Sequence, residues 1–141
     1  LLKTITAQLA DNAESRYYGN FMLAQMAEAQ DNMAEMKKYY QNCLTALAQL
    51  PPGDDVKYQQ AYILAVLNHD SEAEAIYDDL LRNNPDWDMV LINLSEVKAA
   101  LNKPDEAFKL AEKAQMLYPR WEQAAECYQR RLTERDKKEQ P

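Results

Sequence analysis

The sequence predicts an all-α solenoid, a stack of helix-turn-helix pairs in which each pair repeats the one before it. Three observations carry this reading. Pro51, Pro85 and Pro119 follow one another at intervals of 34 residues, and Trp87 and Trp121 keep the same interval behind their prolines. Leu67 and Leu101, Asn68 and Asn102, Glu72 and Glu106, and Ala73 and Ala107 repeat it again. Between the prolines the apolar residues recur at helical spacing, and a fixed period of this length is the signature of stacked helical pairs.

Each element has its own signal. Residues 1–10 read as an N-terminal helix with Leu1, Leu2, Ile5 and Leu9 on its buried side, and with the following turn they fill 1–16. An irregular repeat follows over 17–53, its first helix expected over 13–30. Regular repeats occupy 54–87 and 88–121, with first helices over 55–67 and 87–101 and second helices over 71–83 and 105–117. A closing helix over 122–135 and a charged tail complete the segment 122–141. Ser71-Glu72-Ala73-Glu74 reads as a capping box, in which a hydroxyl and a carboxylate satisfy free backbone donors at a helix start. Pro104 followed by Asp105 and Glu106 marks a second start, with acids against the positive end of the helix dipole. Asn68 and Asn102 fall at the turns, where asparagine tolerates a left-handed backbone, and Asp31 matches them in the irregular copy. The step from Asp31 to Asn68 is 37 residues, and the excess falls in Gln49-Leu50-Pro51-Pro52-Gly53, an inter-helix loop.

Composition narrows the function. The chain has 141 residues, 47% hydrophobic and 28% charged, which is one ordinary domain or one short repeat array. Its longest apolar run, Ala61 to Leu67, falls far short of the roughly 20 residues of a membrane span, so no membrane insertion is expected. Two glycines leave no phosphate-cradling loop, and one histidine with two distant cysteines leaves little for a metal site or a catalytic dyad. No cofactor, no metal and no catalytic residue is therefore expected. His69 reads as a surface turn residue, and Asp54-Asp55 and Asp78-Asp79 as solvated pairs that point apart. Cys43 and Cys127 read as small buried hydrophobes, compatible with a reducing compartment without demanding one. The chain opens Leu1-Leu2-Lys3 without an initiating methionine, the expectation for a fragment or processed form whose leader, anchor or neighbouring domains lie outside it. Compartment is left open between cytoplasmic, membrane-anchored and periplasmic settings.

Charge is uneven. The net charge of −7 resides in 54–88, where Lys57 and Arg82 face nine acids, while 1–53 and 89–141 nearly balance. An acidic chain repels phosphate backbones, so no nucleic acid is expected as a partner. The acidic stretch reads as a solvated helix face, with a basic patch on a partner as the sharper alternative.

The 34-residue helix-turn-helix unit with its closing proline resembles the tetratricopeptide repeat. The resemblance spans about 17–121. It places Ala24, Ala61 and Ser95 at the first small-residue site and Met36, Ala73 and Ala107 at the second. Tyr40, Tyr77 and Ala111 take the aromatic site, and Cys43, Leu80 and Ala114 the last small site. The sequence departs from the pattern at the turn glycine, held here by Asp31, Asn68 and Asn102, and in the missing Trp and Tyr of the first helix. Trp87 and Trp121 are expected to pack between repeats.

The resemblance implies a superhelix whose concave surface comes from the first helix of each pair and accepts an extended peptide or a helix. The positions it assigns there are Tyr18, Phe21, Gln25 and Glu28, then Asp55, Tyr58, Tyr62 and Ala65, then Met89, Ile92, Glu96 and Ala99. Family members that capture chaperone C-termini carry lysines and asparagines on this surface, and this chain does not. The implied partner is a protein or peptide segment, apolar or aromatic with some basic character. Tyr17-Tyr18 and Tyr39-Tyr40 are each expected to place one ring inside and one out, and Met22, Met26, Met33 and Met36 to fill the core, with an adaptable binding surface as the alternative for the methionines. The expected function is a non-catalytic protein-interaction module, an adaptor or assembly scaffold. The alternatives are a homo-oligomerisation domain, or a regulatory or substrate-docking domain of a larger enzyme or transcription regulator.

Overall fold

A computed structural model of the chain describes residues 12–139. Among these the secondary structure is helical, without strands: α1 (Ala13–Ala29), α2 (Met33–Leu47), α3 (Asp54–Val66), α4 (Asp70–Asn83), α5 (Asp88–Ala100), α6 (Pro104–Leu117) and α7 (Glu122–Glu139). The helix expected over 1–10 lies outside the described residues. The other expected helices are present, and α7 runs on past the expected 135.

Local chemistry sets the boundaries. Every one of these helices carries an acid in its first turn, from Glu14 in α1 to Glu122 in α7, where carboxylates meet the positive end of the dipole. The Asn12 side chain caps α1 by accepting from the Ser15 N–H at 2.8 Å, and Asn32 caps α2 by accepting from Glu35 N–H at 3.2 Å. Pro104 opens α6, where its missing N–H leaves no bond unmade. Asp31, Asn68 and Asn102 have φ of 55°, 65° and 60°, the left-handed conformation expected of them. Asp31 and Asn32 donate their N–H groups to the Glu28 and Ala27 carbonyls, and Asn102 and Lys103 donate theirs to Ala99 and Lys98. That is the same two-bond C-terminal cap at both turns. The turn beyond α4 recurs beyond α6, with Trp87 N–H donated to the Asn84 carbonyl and Trp121 N–H to that of Tyr118.

The capping box at Ser71 does not form. The left-handed turn at Asn68 starts α4 one residue earlier, at Asp70, with His69 as its cap residue and no side-chain cap bond. Ser71 is thereby moved into the first turn, past the position from which a hydroxyl can cap.

The chain divides into two compact units between Leu67 and Asn68, inside the segment 54–87. Unit 1 holds α1–α3. Its core combines Tyr17, Leu23, Ala24, Met36, Tyr40, Cys43, Leu47 and Ile63. Unit 2 holds α4–α7, and a core of Leu91, Ile92, Ala111, Ala114, Ala124 and Cys127 is covered by Met89, Tyr118, Trp121 and Tyr128. The twelve positions taken from the repeat pattern, Ala24 to Ala114, are all buried, none more than 4% exposed. Small side chains at these sites let neighbouring helices approach closely, which is why they recur. Ser95 fits the site by donating its hydroxyl to the Ala107 carbonyl at 2.7 Å, so its buried oxygen is satisfied.

Two packing expectations are corrected. Tyr39 and Tyr40 are both buried, rather than one of the two, and Lys38 lies over the Tyr39 ring at 5.6 Å. Of the four methionines of the first pair only Met36 is in the core, while Met22, Met26 and Met33 are exposed. The tyrosine-rich interior of unit 1 leaves these unbranched side chains on the surface.

Candidate functional site

In unit 1 the expected surface residues gather around an aromatic cluster. Tyr17 is buried and its neighbour Tyr18 is 57% exposed, the division expected for adjacent helical positions. Their rings lie 5.1 Å apart. Phe21, one turn on, contacts the rings of Tyr17 at 5.8 Å, Tyr40 at 6.0 Å and Tyr62 at 6.4 Å, so α1, α2 and α3 are joined through one phenyl group. Phe21 and Tyr62 are half-buried and packed against the core. Tyr58 is half-buried, and Gln25, Glu28 and Asp55 are exposed. Glu28 accepts from the Tyr40 hydroxyl at 3.5 Å. Burial, with the Glu28 charge second, pushes the Tyr40 phenol up to about 12, and burial raises that of Tyr17 as well. The Tyr17 hydroxyl donates to Gln59 Oε1 at 2.7 Å. Along α1, Tyr18, Met22 and Met26 recur every fourth residue and are 57%, 50% and 47% exposed, an apolar stripe facing water.

A cleft of about 360 Å³ opens beside Tyr18. Its walls are the first turns of α1, the end of α2 with the loop through Pro51 and Pro52, and the start of α3. The three residues by which this loop exceeds the repeat period supply one wall. Asp55 lies on the cleft, whereas Tyr17, Glu14 and the two prolines were not expected there. The 37-residue step from Asp31 to Asn68, three more than the period, was the signal that could have marked them.

In unit 2 the assigned residues lie on α5. Ile92 is 8% exposed and belongs largely to the core, and Met89 is half-buried against it. Glu96 is exposed and bound by α7: Arg130 donates to Oε1, and Arg131 to Oε2 at 3.4 Å. Its charge is thus partly met within the unit. Ile92, Glu96 and Arg130 line a shallow depression of about 340 Å³ between α5 and α7. Trp121 packs against the Tyr118 ring at 6.1 Å and on the unit 2 core.

Three acids of the acidic stretch, Glu74, Asp78 and Asp86, are met by lysines from inside unit 2. Lys98, its side chain only 8% exposed, reaches Glu74 at 2.9 Å, Asp78 at 3.4 Å and Glu106 at 3.6 Å. Lys103 binds Glu74 at 2.7 Å and Lys113 binds Asp86 at 3.4 Å. The Lys103 hydrogen bond outweighs burial and holds the Glu74 carboxyl below its ordinary range. Burial opposes the Lys98 charge, but the hydrogen bond it donates to Glu74 and the charge of Asp78 overcome it and raise its pKa.

Among the described residues no group of three or more His, Cys, Asp or Glu side chains converges as a metal site would require. His69 sits at the exposed start of α4, with Nδ1 3.2 Å from Glu72 Oε1. Both cysteines are free and buried, and burial pushes the Cys43 thiol up to about 12 and raises that of Cys127. At neutral pH both are protonated and shielded, the packing role expected of them. No helix among the described residues is long and apolar enough to cross a membrane.

No protein-family model and no curated protein matches the chain. Solved structures do. A thermophilic TPR protein from Thermus thermophilus superposes with a TM-score of 0.73 at 18% identity, covering 94% of this chain and 70% of its own. MamA superposes with a TM-score of 0.55 at 12% identity, covering 97% of this chain and 86% of its own. At such identities the likeness is one of fold. The internal 34-residue period, the twelve buried repeat positions and these superpositions agree that the chain has the all-α helical-repeat fold of tetratricopeptide-repeat proteins.

Proposed function

We propose that the chain is a non-catalytic protein-recognition module, an adaptor or assembly scaffold that binds a partner segment on the first helices of its pairs. The binding residues are Tyr18, Phe21, Gln25, Asp55, Tyr58 and Tyr62 in unit 1, and Met89 and Glu96 in unit 2, Ile92 being taken up by the core. One observation carries this reading: the stripe of Tyr18, Met22 and Met26 on α1, each about half exposed. At the matching positions of the other first helices, Met26 is replaced by Ile63 and Val97, which are buried. Contiguous apolar surface held in water on a rigid helix gains free energy when a partner covers it.

The stripe supports an apolar or aromatic partner segment. The internal pairing of Glu74, Asp78 and Asp86 speaks against these acids recruiting the cationic tail of a second copy. Affinity capture with the whole chain, read by mass spectrometry, tests the proposal. Proteins retained by the native chain are expected to be lost with Tyr18→Ala plus Met22→Ala, exposed changes that leave the circular dichroism intact. An identical set retained by the variant refutes the assignment of this surface.

A further inference from the structure

The cleft beside Tyr18 has a composition that the aromatic stripe does not. Among the described residues Glu14 and Asp55 are the only charged ones lining it, and neither forms an ion pair there. Arg16 and Lys57, each two residues from one of these acids, do not line the cleft, and Arg16 donates to Gln49 Oε1. The Asp55 carboxylate is folded toward Gly53, where an added Cβ would come within 3.3 Å of Oδ1. Between the acids the walls are Tyr17, the exposed Tyr18 ring, Pro51 and Pro52. Proline and tyrosine lose little conformational freedom when covered, so these walls are largely pre-organised.

An apolar side chain seated here would desolvate two carboxylates without compensation. An anion would be repelled. A long alkyl stem ending in a cation satisfies every wall, with methylenes on the tyrosine and proline rings and the charge on the carboxylates and the exposed ring face. The volume suits one such side chain with part of its neighbours. We propose that this cleft takes a lysine or arginine side chain from an extended segment of a partner protein, with an apolar neighbour resting on Tyr18 and Met22. The proposal rests on the reading of the chain as a recognition module and specifies the partner's chemistry.

Panning a displayed library of random 12-residue peptides on the whole chain tests it. Enriched peptides are expected to share a lysine or arginine flanked by apolar residues. The strongest, made synthetically, should bind more weakly in high salt and about tenfold more weakly to Glu14→Gln plus Asp55→Asn. These exposed, volume-conserving changes are checked for folding by circular dichroism. Enriched peptides that lack a basic residue, or whose affinity the double variant leaves unchanged, overturn the cleft assignment. If the same peptides are lost with Tyr18→Ala plus Met22→Ala, the recognition reading survives without it. A library that yields no binder overturns both. Dimerisation of the peptide-free chain, abolished by the double variant in sedimentation, also overturns the proposal by placing a second copy in the cleft.

Discussion

Ala27 on α1 and Lys98 on α5 occupy one position of the repeat, and both are buried. In unit 1 that position is a methyl group in a tyrosine-lined interior. In unit 2 it is an ammonium group held by carboxylates from α4 and α6. Three turns of α1 show Tyr18, Met22 and Met26 to water, whereas Val97, the counterpart of Met26, is 3% exposed. A second buried cation, Arg131 of α7, contacts the Ser95 carbonyl at 3.3 Å and Glu134 at 3.1 Å in unit 2. The twelve small and aromatic sites fix where helix axes pass, and they are common to both units. The remaining positions are free to be solved by apolar packing or by ion pairs, and the units took different solutions. Exposed apolar surface forms a stripe along α1 in unit 1, whereas in unit 2 the large exposed apolar side chains are Met116 and Leu117 at the end of α6.

The comparison can be broken most severely at the interiors. Tyr40→Ala, which empties a fully buried ring site in unit 1, should cost about 3–5 kcal/mol in urea unfolding followed by near-ultraviolet circular dichroism. Lys98→Ala should cost unit 2 less, about 2 kcal/mol, because Asp78 and Glu106 remain partly hydrated once their cation is gone. Both tryptophans of the chain, Trp87 and Trp121, lie in unit 2, so their fluorescence isolates this loss. Lys98→Met, which keeps the stem, should retain more stability than Lys98→Ala. A loss in Tyr40→Ala smaller than that in Lys98→Ala would reverse the assignment of apolar and ionic cores.

Acid sharpens the contrast. The Glu74 carboxyl is depressed in the folded chain, so its contribution is fully present above the unfolded carboxylate range and is lost as pH falls through the lower folded value. Tryptophan fluorescence should therefore report weakening of unit 2 below about pH 4.3, and Glu74→Gln should flatten that dependence. An unchanged acid profile in Glu74→Gln would remove Glu74 from the ionic core. The smallest effects belong to the shared turns. Asn102→Gly relieves a left-handed residue but loosens the unfolded chain, for a net gain below about 1 kcal/mol, whereas Asn102→Val should cost about 1–2 kcal/mol. Equal stability of the two variants would contradict the turn geometry.

Spacing located the helices and their turns, and the family resemblance located the buried repeat positions, because these depend on local backbone preference and on a packing distance that every copy must respect. Asp31, Asn68 and Asn102 announced their left-handed turns by residue type. Ser71 misled because a cap depends on which residue begins the helix, and the preceding turn decided that. The surface was less legible. One residue type serves as core or as exposed stripe according to what packs beside it, so Met22 and Met26 looked like core and Ile92 like surface. The acidity of 54–88 was visible, but not that Lys98, Lys103 and Lys113 would fold back onto it. Nor could the order of residues show that a loop three residues too long would set two prolines opposite Tyr18 and two carboxylates. Periodicity is a property of neighbours along the chain and survives in the sequence. Burial, ion pairing and the shape of a cleft depend on residues far apart in sequence, and only the tertiary packing brings those together.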